Sequence, residues 1–90
     1  MRFTWDPAKA SSNLKKHGVS FPEAASVFAD PLAMLLGDAL DAGRAILIGQ
    51  STKGRILFTV FIELSEDTVR IISARRATSH ERRRYEEGDP

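Results

Sequence analysis

The order of hydrophobic and polar residues predicts two helices near the start of the chain. Asp6 followed by proline is typical of a helix N-terminus, and the helix should run to about His17, because Gly18 favours the left-handed turn that ends a helix. Ser20 and Glu23 then have the spacing of a capping box, and apolar residues follow at i, i+3, i+4 and i+7. The sequence therefore predicts a second helix with one apolar stripe.

The residues that follow alternate in the way expected of strands. Strands are predicted at Leu32–Leu36, Arg44–Gln50, Ile56–Ile62 and Val69–Arg75, with a further short one at Arg2–Trp5. The turn-forming segments GDALDAG and STKG separate the first three runs, and residues 63–68 form the turn before the fourth. Both faces of the 56–62 run are apolar, which indicates a central strand. The connections are too short for parallel crossovers, so antiparallel pairing is expected.

A last helix is predicted after the fourth of these strands. Thr78 and Glu81 repeat the capping-box spacing, and Gly88 closes the helix. The predicted fold is therefore α+β, with two N-terminal helices, an antiparallel β-sheet of about four strands and a C-terminal helix. We expect one domain over residues 1–90, since a chain of this length has room for a single core.

The composition is that of an ordinary soluble globular protein, with 42% hydrophobic and 28% charged residues. A net charge of +1 gives no general affinity for nucleic acid, so a site for a polyanion has to be local. The chain has no cysteine, which excludes disulfides, thiolate zinc sites and cysteine nucleophiles. The N-terminus does not resemble a signal peptide, and no apolar run approaches the ~20 residues of a membrane span. We expect a cytoplasmic protein without membrane contact.

Positive charge is concentrated between Val69 and Tyr85. This segment carries six of the thirteen Lys and Arg residues, namely Arg70, Arg75, Arg76, Arg82, Arg83 and Arg84. The guanidinium group forks toward carboxylate or phosphate, so a partner with phosphates is the first hypothesis. Arg75 and Arg76 precede the last helix and Arg55 precedes the central strand, so the three could meet as a phosphate clamp. The alternative is that Arg75 pairs with an acid of its own chain, and spacing does not decide.

The last helix and the two histidines carry weaker signals. Residues Arg82–Arg84 point in directions about 100° apart, so they cannot act as one patch, and packing on the sheet is the default role expected for Tyr85. His17 is a candidate acid or base near neutrality, whereas His80 should be exposed. The two histidines lack metal-ligand spacing and the acids lack a calcium-loop pattern, so we predict neither metal nor cofactor.

These residue types suit the cleavage of RNA without a metal. An RNA strand supplies its own nucleophile in the 2′-hydroxyl, so a protein has only to orient that group, move protons and stabilise the developing charge on phosphate. Arginines, a histidine and a tyrosine are sufficient for that purpose. The composition alone is compatible with such an enzyme without establishing one.

Two long blocks of the sequence resemble a known family. FTWDPAKASSNLKKHGVSFPEAASVFAD and RIISARRATSHERRRY are similar to the BrnT toxins of bacterial type II toxin–antitoxin systems. The matching residues are Trp5, Asp6, Lys9, Asn13, Lys16, His17, Gly18, Phe21, Glu23, Ala24, Phe28, Asp30, Arg70 to Arg75, Ala77, Glu81, Arg82 and Tyr85. The resemblance implies a RelE-like fold and a metal-free ribonuclease that blocks translation. It also implies neutralisation by a BrnA-type antitoxin, through which operator DNA is bound.

The resemblance also implies candidate site residues. Arg75 and Arg76 are assigned to stabilising phosphate charge, Arg55 to positioning the substrate, and His17 or Tyr85 to proton transfer. The residues assigned to RNA binding are Lys16, Arg70, Arg82 and Arg83.

Two other functions remain open at this point. The basic edge of the sheet could belong to a non-catalytic binding module that holds an acidic partner or nucleic acid, and catalysis distinguishes the two. A degenerate, inactive member of the family is the third possibility. A partner helix from an antitoxin could cover one face of the central strand, unless the chain's own helices cover both faces.

Overall fold

A computed structural model describes residues 1–37 and 43–88 of the chain. Within these residues a five-stranded sheet carries helices on it, in the strand order β1-β5-β4-β3-β2. The elements are β1 (Arg2–Thr4), α1 (Pro7–His17), α2 (Phe21–Ser26), a 3₁₀ turn (Val27–Ala29), β2 (Met34–Gly37), β3 (Arg44–Gln50), β4 (Ile56–Ser65), β5 (Thr68–Arg76) and α3 (Ser79–Glu87). The α+β class predicted from the sequence is confirmed.

The ends of the helices follow the local chemistry that predicted them. The Asp6 carboxylate accepts a hydrogen bond from the Ala8 amide at 2.9 Å at the start of α1. Gly18 ends that helix with φ of 70°, a conformation that a residue with a Cβ adopts only with strain. At α3 the capping box of Thr78 and Glu81 forms in both directions. Short-range signals therefore determine where α1 and α3 begin and where α1 ends.

The sheet differs from the predicted one in its pairing and in the bounds of several strands; β2, for example, runs over Met34–Gly37 and not over Leu32–Leu36. β1 pairs in parallel with β5, through Arg2 and Thr68 at one end and Thr4 and Arg70 at the other, so the sheet is mixed. β4 continues to Ser65, so the turn before β5 is shorter than residues 63–68. Pairing across a hairpin extends through exposed polar positions, and long-range parallel pairing leaves no mark in local spacing. Residues 38–42 of the predicted GDALDAG turn lie outside the described residues.

The hydrophobic core lies between one face of the sheet and the helices α1 and α2. Its helix and loop side is formed by Val19, Phe21, Ala24 and Val27, and its sheet side by Leu47, Leu57, Phe61, Val69, Ile71 and Ala74. Phe21 and Val27 are fully buried, and each contributes about 2 kcal/mol by its burial. This packing holds the N-terminal helices against β4 and β5.

The opposite face of the sheet receives the start of α3. Phe58 and Arg75 are cross-strand neighbours on this face, and the Arg75 guanidinium lies 4.0 Å from the centre of the Phe58 ring. Glu81 of α3 binds the same guanidinium. The helices α1 and α2 therefore lie on one face of the sheet, and the start of α3 lies on the other. No helix among residues 1–37 and 43–88 is long and apolar enough to cross a membrane.

Candidate active site

A groove lies between α1 and β5, on the side of the sheet where β5 has no strand neighbour. β1 pairs with β5 only as far as Arg70, so α1 faces the β5 edge beyond that point. The groove has a volume of about 200 Å³ and is lined by Lys9, Ser12, Asn13, Lys16, His17, Ile72 and Ser73. We call it the α1–β5 groove.

The helix wall of the α1–β5 groove brings together two ammonium groups and an imidazole. Lys9, Asn13, Lys16 and His17 stand at i, i+4, i+7 and i+8, so they share one face of α1. Lys9 and Lys16 are exposed and His17 is half-buried. Within residues 1–37 and 43–88, none of the three has an acidic partner. The groove therefore carries positive charge and a side chain of the type that exchanges protons near neutral pH.

The side chain of Asn13 connects α1 with β5, the two walls of the groove, through hydrogen bonds. Its Nδ2 donates to the carbonyl oxygens of Ala74 at 2.8 Å and Val19 at 2.9 Å. Its Oδ1 accepts from the Ala74 amide at 3.1 Å. The side chain is buried, and it occupies the position that a neighbouring strand would take beside Ala74.

Arg55 binds a carboxylate of its own chain. Its Nε donates to Glu23 Oε2 at 2.9 Å, and its Nη2 donates to Glu23 Oε1 and to the Gly18 carbonyl. Ser51 donates to the same carboxylate at 2.7 Å. The Arg55 guanidinium, opposed by desolvation, holds the pKa of Glu23 below its ordinary value. Glu23 therefore binds across the fold instead of completing the capping box predicted for α2, although Ser20 does accept from its amide.

Arg75 is paired in a similar way at the start of α3. Two of its nitrogens donate to the two carboxylate oxygens of Glu81, at 2.8 and 2.9 Å. This pairing, opposed by desolvation, lowers the pKa of Glu81 and raises that of Arg75. Glu81 also accepts from the Thr78 amide at 2.8 Å. The pair therefore joins the capping box of α3 to β5.

The hydroxyl of Tyr85 is held by Asp30, to which it donates at 2.5 Å. Asp30 also accepts from the amides of Leu32 and Gln50. Burial, together with the hydrogen bond to this carboxylate, raises the pKa of Tyr85 to about 12. A phenol in this state gives up its proton less readily than an ordinary tyrosine. The hydrogen bond to Asp30 connects α3 with the segment between the 3₁₀ turn and β2.

The remaining predicted residues lie outside these contacts. Arg76 is exposed and faces Leu57 across the β4–β5 ladder, and its guanidinium has no partner in the described part of the chain. Arg70 is half-buried beside Ile62. Arg82, Arg83 and His80 are exposed on α3. No group of three His, Asp or Glu side chains suited to a metal occurs among residues 1–37 and 43–88.

The groove contains Lys16 and His17, which were predicted site residues, together with residues for which no role was predicted. The lining residues without a predicted role include Lys9, Asn13 and Ser73. Lys9 could have been identified from the sequence, because its spacing places it on the same helix face as Lys16 and His17. No local pattern indicated that Asn13 would meet Ala74, which lies 61 positions further along the chain.

Comparison with known proteins agrees with this architecture. A family model described as the ribonuclease toxin BrnT of a type II toxin–antitoxin system matches residues 5–81. Among solved structures, the crystal structure of the Brucella abortus ribonuclease toxin BrnT matches with a TM-score of 0.70 and 25% sequence identity. That match covers 88% of this chain and 99% of the Brucella chain. No curated protein sequence matches.

The α+β fold and these matches define a ribonuclease toxin. More specifically, the chain belongs to the BrnT family of type II toxin–antitoxin systems. Membership in this family implies an RNA target and an antitoxin partner. It also favours the enzyme among the functions left open by the sequence.

Proposed function

We propose that the protein is a metal-independent endoribonuclease and that it cleaves RNA in the α1–β5 groove. The observation that carries this proposal is the meeting of Lys9, Lys16 and His17 on one helix face without an acidic partner in the described residues. Such a group of positive charges favours the binding of a phosphate, and the imidazole beside it is within reach of a bound phosphodiester. The residues that the structure describes include no carboxylate cluster suited to a metal, and the proposed chemistry needs none.

The reaction uses the 2′-hydroxyl of the RNA as nucleophile. Its oxygen bonds to the adjacent phosphorus, the bond from phosphorus to the 5′-oxygen breaks, and the products are a 2′,3′-cyclic phosphate and a 5′-hydroxyl. His17 takes the proton of the 2′-hydroxyl, and the 5′-oxygen takes a proton from solvent water as it leaves. Lys9 and Lys16 stabilise the charge that develops on the phosphate oxygens.

Among the arginines, Arg76 is best suited to assist the phosphate. It lies two residues beyond Ala74 on the same strand, a distance of about 7 Å along β5, and its guanidinium is unpaired in the described structure. Arg70 and the exposed Arg82 and Arg83 serve to attract RNA. Arg55, Arg75 and Tyr85 support the site through contacts inside the protein, since each already binds a carboxylate.

The biological setting follows from the family. We propose that the whole chain is one toxin domain, that it acts in the cytoplasm to block translation, and that a BrnA-type antitoxin neutralises it. Operator DNA is contacted only through the complex with that antitoxin. The net charge of +1 supports this last point, because it gives the toxin alone no general affinity for DNA.

A cleavage assay in excess EDTA tests the proposal. Purified toxin free of antitoxin is mixed with labelled single-stranded RNA, and with the same RNA carrying 2′-deoxy residues at the positions that are cut. We expect cuts that persist in chelator and disappear with the deoxy substrate. Cleavage that requires added metal, or that continues on the deoxy substrate, would contradict the mechanism.

Two neighbouring lysines on α1 provide a matched pair of variants. Lys16 lines the α1–β5 groove, whereas Lys15 does not, and both are exposed in the last turn of the helix. Lys16→Ala should lower the cleavage rate by at least tenfold, while Lys15→Ala should change it by less than about twofold. Equal effects of both variants would show that the lysines only attract RNA through their charge. No cleavage of RNA by any form would favour the non-catalytic binding module.

A further inference from the structure

Helix α1 places one partly buried apolar residue, Ala10, against the core, and none of its apolar residues is fully buried. Its buried residue is Asn13, which is 7% exposed, while Leu14 is 51% exposed. A surface helix is ordinarily held by an apolar stripe, and α1 has an amide in its place. The hydrogen bonds of Asn13 therefore add to the small apolar contact of Ala10 in holding α1 on the sheet.

These hydrogen bonds fix α1 in more than one direction. The Asn13 amide both donates to and accepts from Ala74, so it binds one residue of β5 at two points, and it also donates to Val19. Hydrogen bonds depend on angle as well as distance, whereas contacts between apolar side chains allow sliding. The arrangement sets both the rotation of α1 and its position along β5.

Asn13 has no donor left for a ligand, although it lines the groove. A carboxamide has two N–H groups, and those of Asn13 go to the carbonyls of Val19 and Ala74. Direct contact with a phosphate through this side chain is therefore disfavoured. Its influence on a reaction in the groove has to pass through the residues that it holds in place.

We infer that Asn13 is the positioning residue of the nuclease site. It lies one helical turn from Lys9 and one turn from His17, and its partner Ala74 follows Ser73 of the opposite wall. The amide thereby sets the distance between the ionisable groups of α1 and the β5 wall. This inference rests on the proposed function, since it concerns the rate of the reaction in the α1–β5 groove.

The test compares Asn13→Ala and Asn13→Asp with Val27→Ala. Val27 is fully buried in the core and does not line the groove, so its variant loses stability without changing the site. Asn13→Asp keeps an acceptor for the Ala74 amide but turns a carboxylate toward two carbonyls. Cleavage of labelled RNA is measured at a temperature where urea curves give the folded fraction of each variant, and rates are expressed per folded molecule.

We expect both Asn13 variants to lower kcat by about 10²-fold while the KM for RNA changes less than about twofold. Binding survives because the charges of Lys9 and Lys16 remain. Val27→Ala should retain its kcat per folded molecule. Unchanged kcat in the Asn13 variants, a change confined to KM, or an equal loss in Val27→Ala would overturn the inference alone. Absence of cleavage by the unsubstituted toxin would instead overturn the proposed function, and the inference with it.

Discussion

Two sets of cations in this toxin differ in whether the chain supplies their counter-charge. Arg55 and Arg75 each bind a carboxylate through two nitrogens, with Glu23 and Glu81 as their partners. We call these two ion pairs the arginine network. The cations of the α1–β5 groove face no carboxylate in the described residues. The difference shows that a dense run of arginines in a sequence marks a possible site without locating it.

The difference has a simple energetic meaning. An arginine of the network has to give up a charge-assisted hydrogen bond before it can bind a phosphate, whereas an unpaired lysine does not. We therefore expect the arginine network to contribute mainly to stability and the α1–β5 groove to contribute to cleavage. This division is testable because substitutions in the two sets should change different quantities.

The largest expected effect is on the cleavage rate, and it distinguishes the two histidines. His17→Ala removes the proposed proton carrier from the groove, so the cleavage rate should fall by about 10²- to 10⁴-fold with little change in the unfolding midpoint. His80 is exposed on α3, and His80→Ala should cleave at the unsubstituted rate. Equal rates for the two variants in a single-turnover assay would remove His17 from the mechanism.

Arg55→Ala should cause the largest loss of stability. The Glu23 side chain is only 2% exposed, so removing its partner leaves a buried carboxylate without a counter-charge, at a cost of about 3 kcal/mol in the free energy of unfolding. Arg83→Ala, which removes an exposed arginine from α3, should cost less than about 0.5 kcal/mol. Urea unfolding measures both values, and similar costs would show that the Arg55 pair is not structural.

Glu81→Gln should have a smaller effect that depends on pH. Arg75 lowers the pKa of Glu81, so the contribution of the pair is complete above the ordinary glutamate value of 4.5 and is lost as the pH falls through the folded value. We expect a loss of about 1 kcal/mol at pH 7, since the Arg75 side chain is 35% exposed, and almost none in acid. Glu86→Gln on the same helix is the control. The urea unfolding midpoints of both variants, measured at pH 7 and in acid, test this prediction.

The smallest effect concerns Tyr85. Its pKa is raised to about 12, so the stability gained from the protonated phenol is complete below the ordinary value of 10.0 and is lost as the pH rises toward the folded value. Tyr85→Phe should cost about 1 kcal/mol or less, with cleavage unchanged. The chain has one tyrosine, so the absorbance of tyrosinate reports this residue alone. Folded protein that titrates at the same pH as urea-unfolded protein would contradict the contact with Asp30.

The features that the sequence predicted well depend on neighbours in the chain. The caps at Asp6 and Thr78, and the end of α1 at Gly18, follow from hydrogen bonds within a few residues, and β3 has the predicted bounds Arg44–Gln50. The family resemblance and the α+β class were likewise correct. These results reflect chemistry that a short window of sequence contains in full.

The features that the sequence left open depend on distant partners. Glu23 was placed in a capping box, yet its carboxylate binds Arg55, 32 positions away. The parallel pairing of β1 with β5 likewise joins the first strand in the chain to the last one. Which arginines are paired was undecidable from spacing, because pairing depends on the whole fold. The roles of the predicted site residues remain predictions for the experiments above.

The hydrogen bonds between Asn13 and Ala74 have a consequence for the newly made protein. A ribosome makes α1 early and β5 late, because the two bonded residues are 61 positions apart. The groove cannot assemble until β5 has emerged, so ribosome-bound chains that end before Ala74 should not cleave RNA. We therefore expect that a growing copy of this toxin does not cut the messenger that encodes it before β5 has emerged, and that a copy left unfinished before Ala74 on a broken message stays inactive.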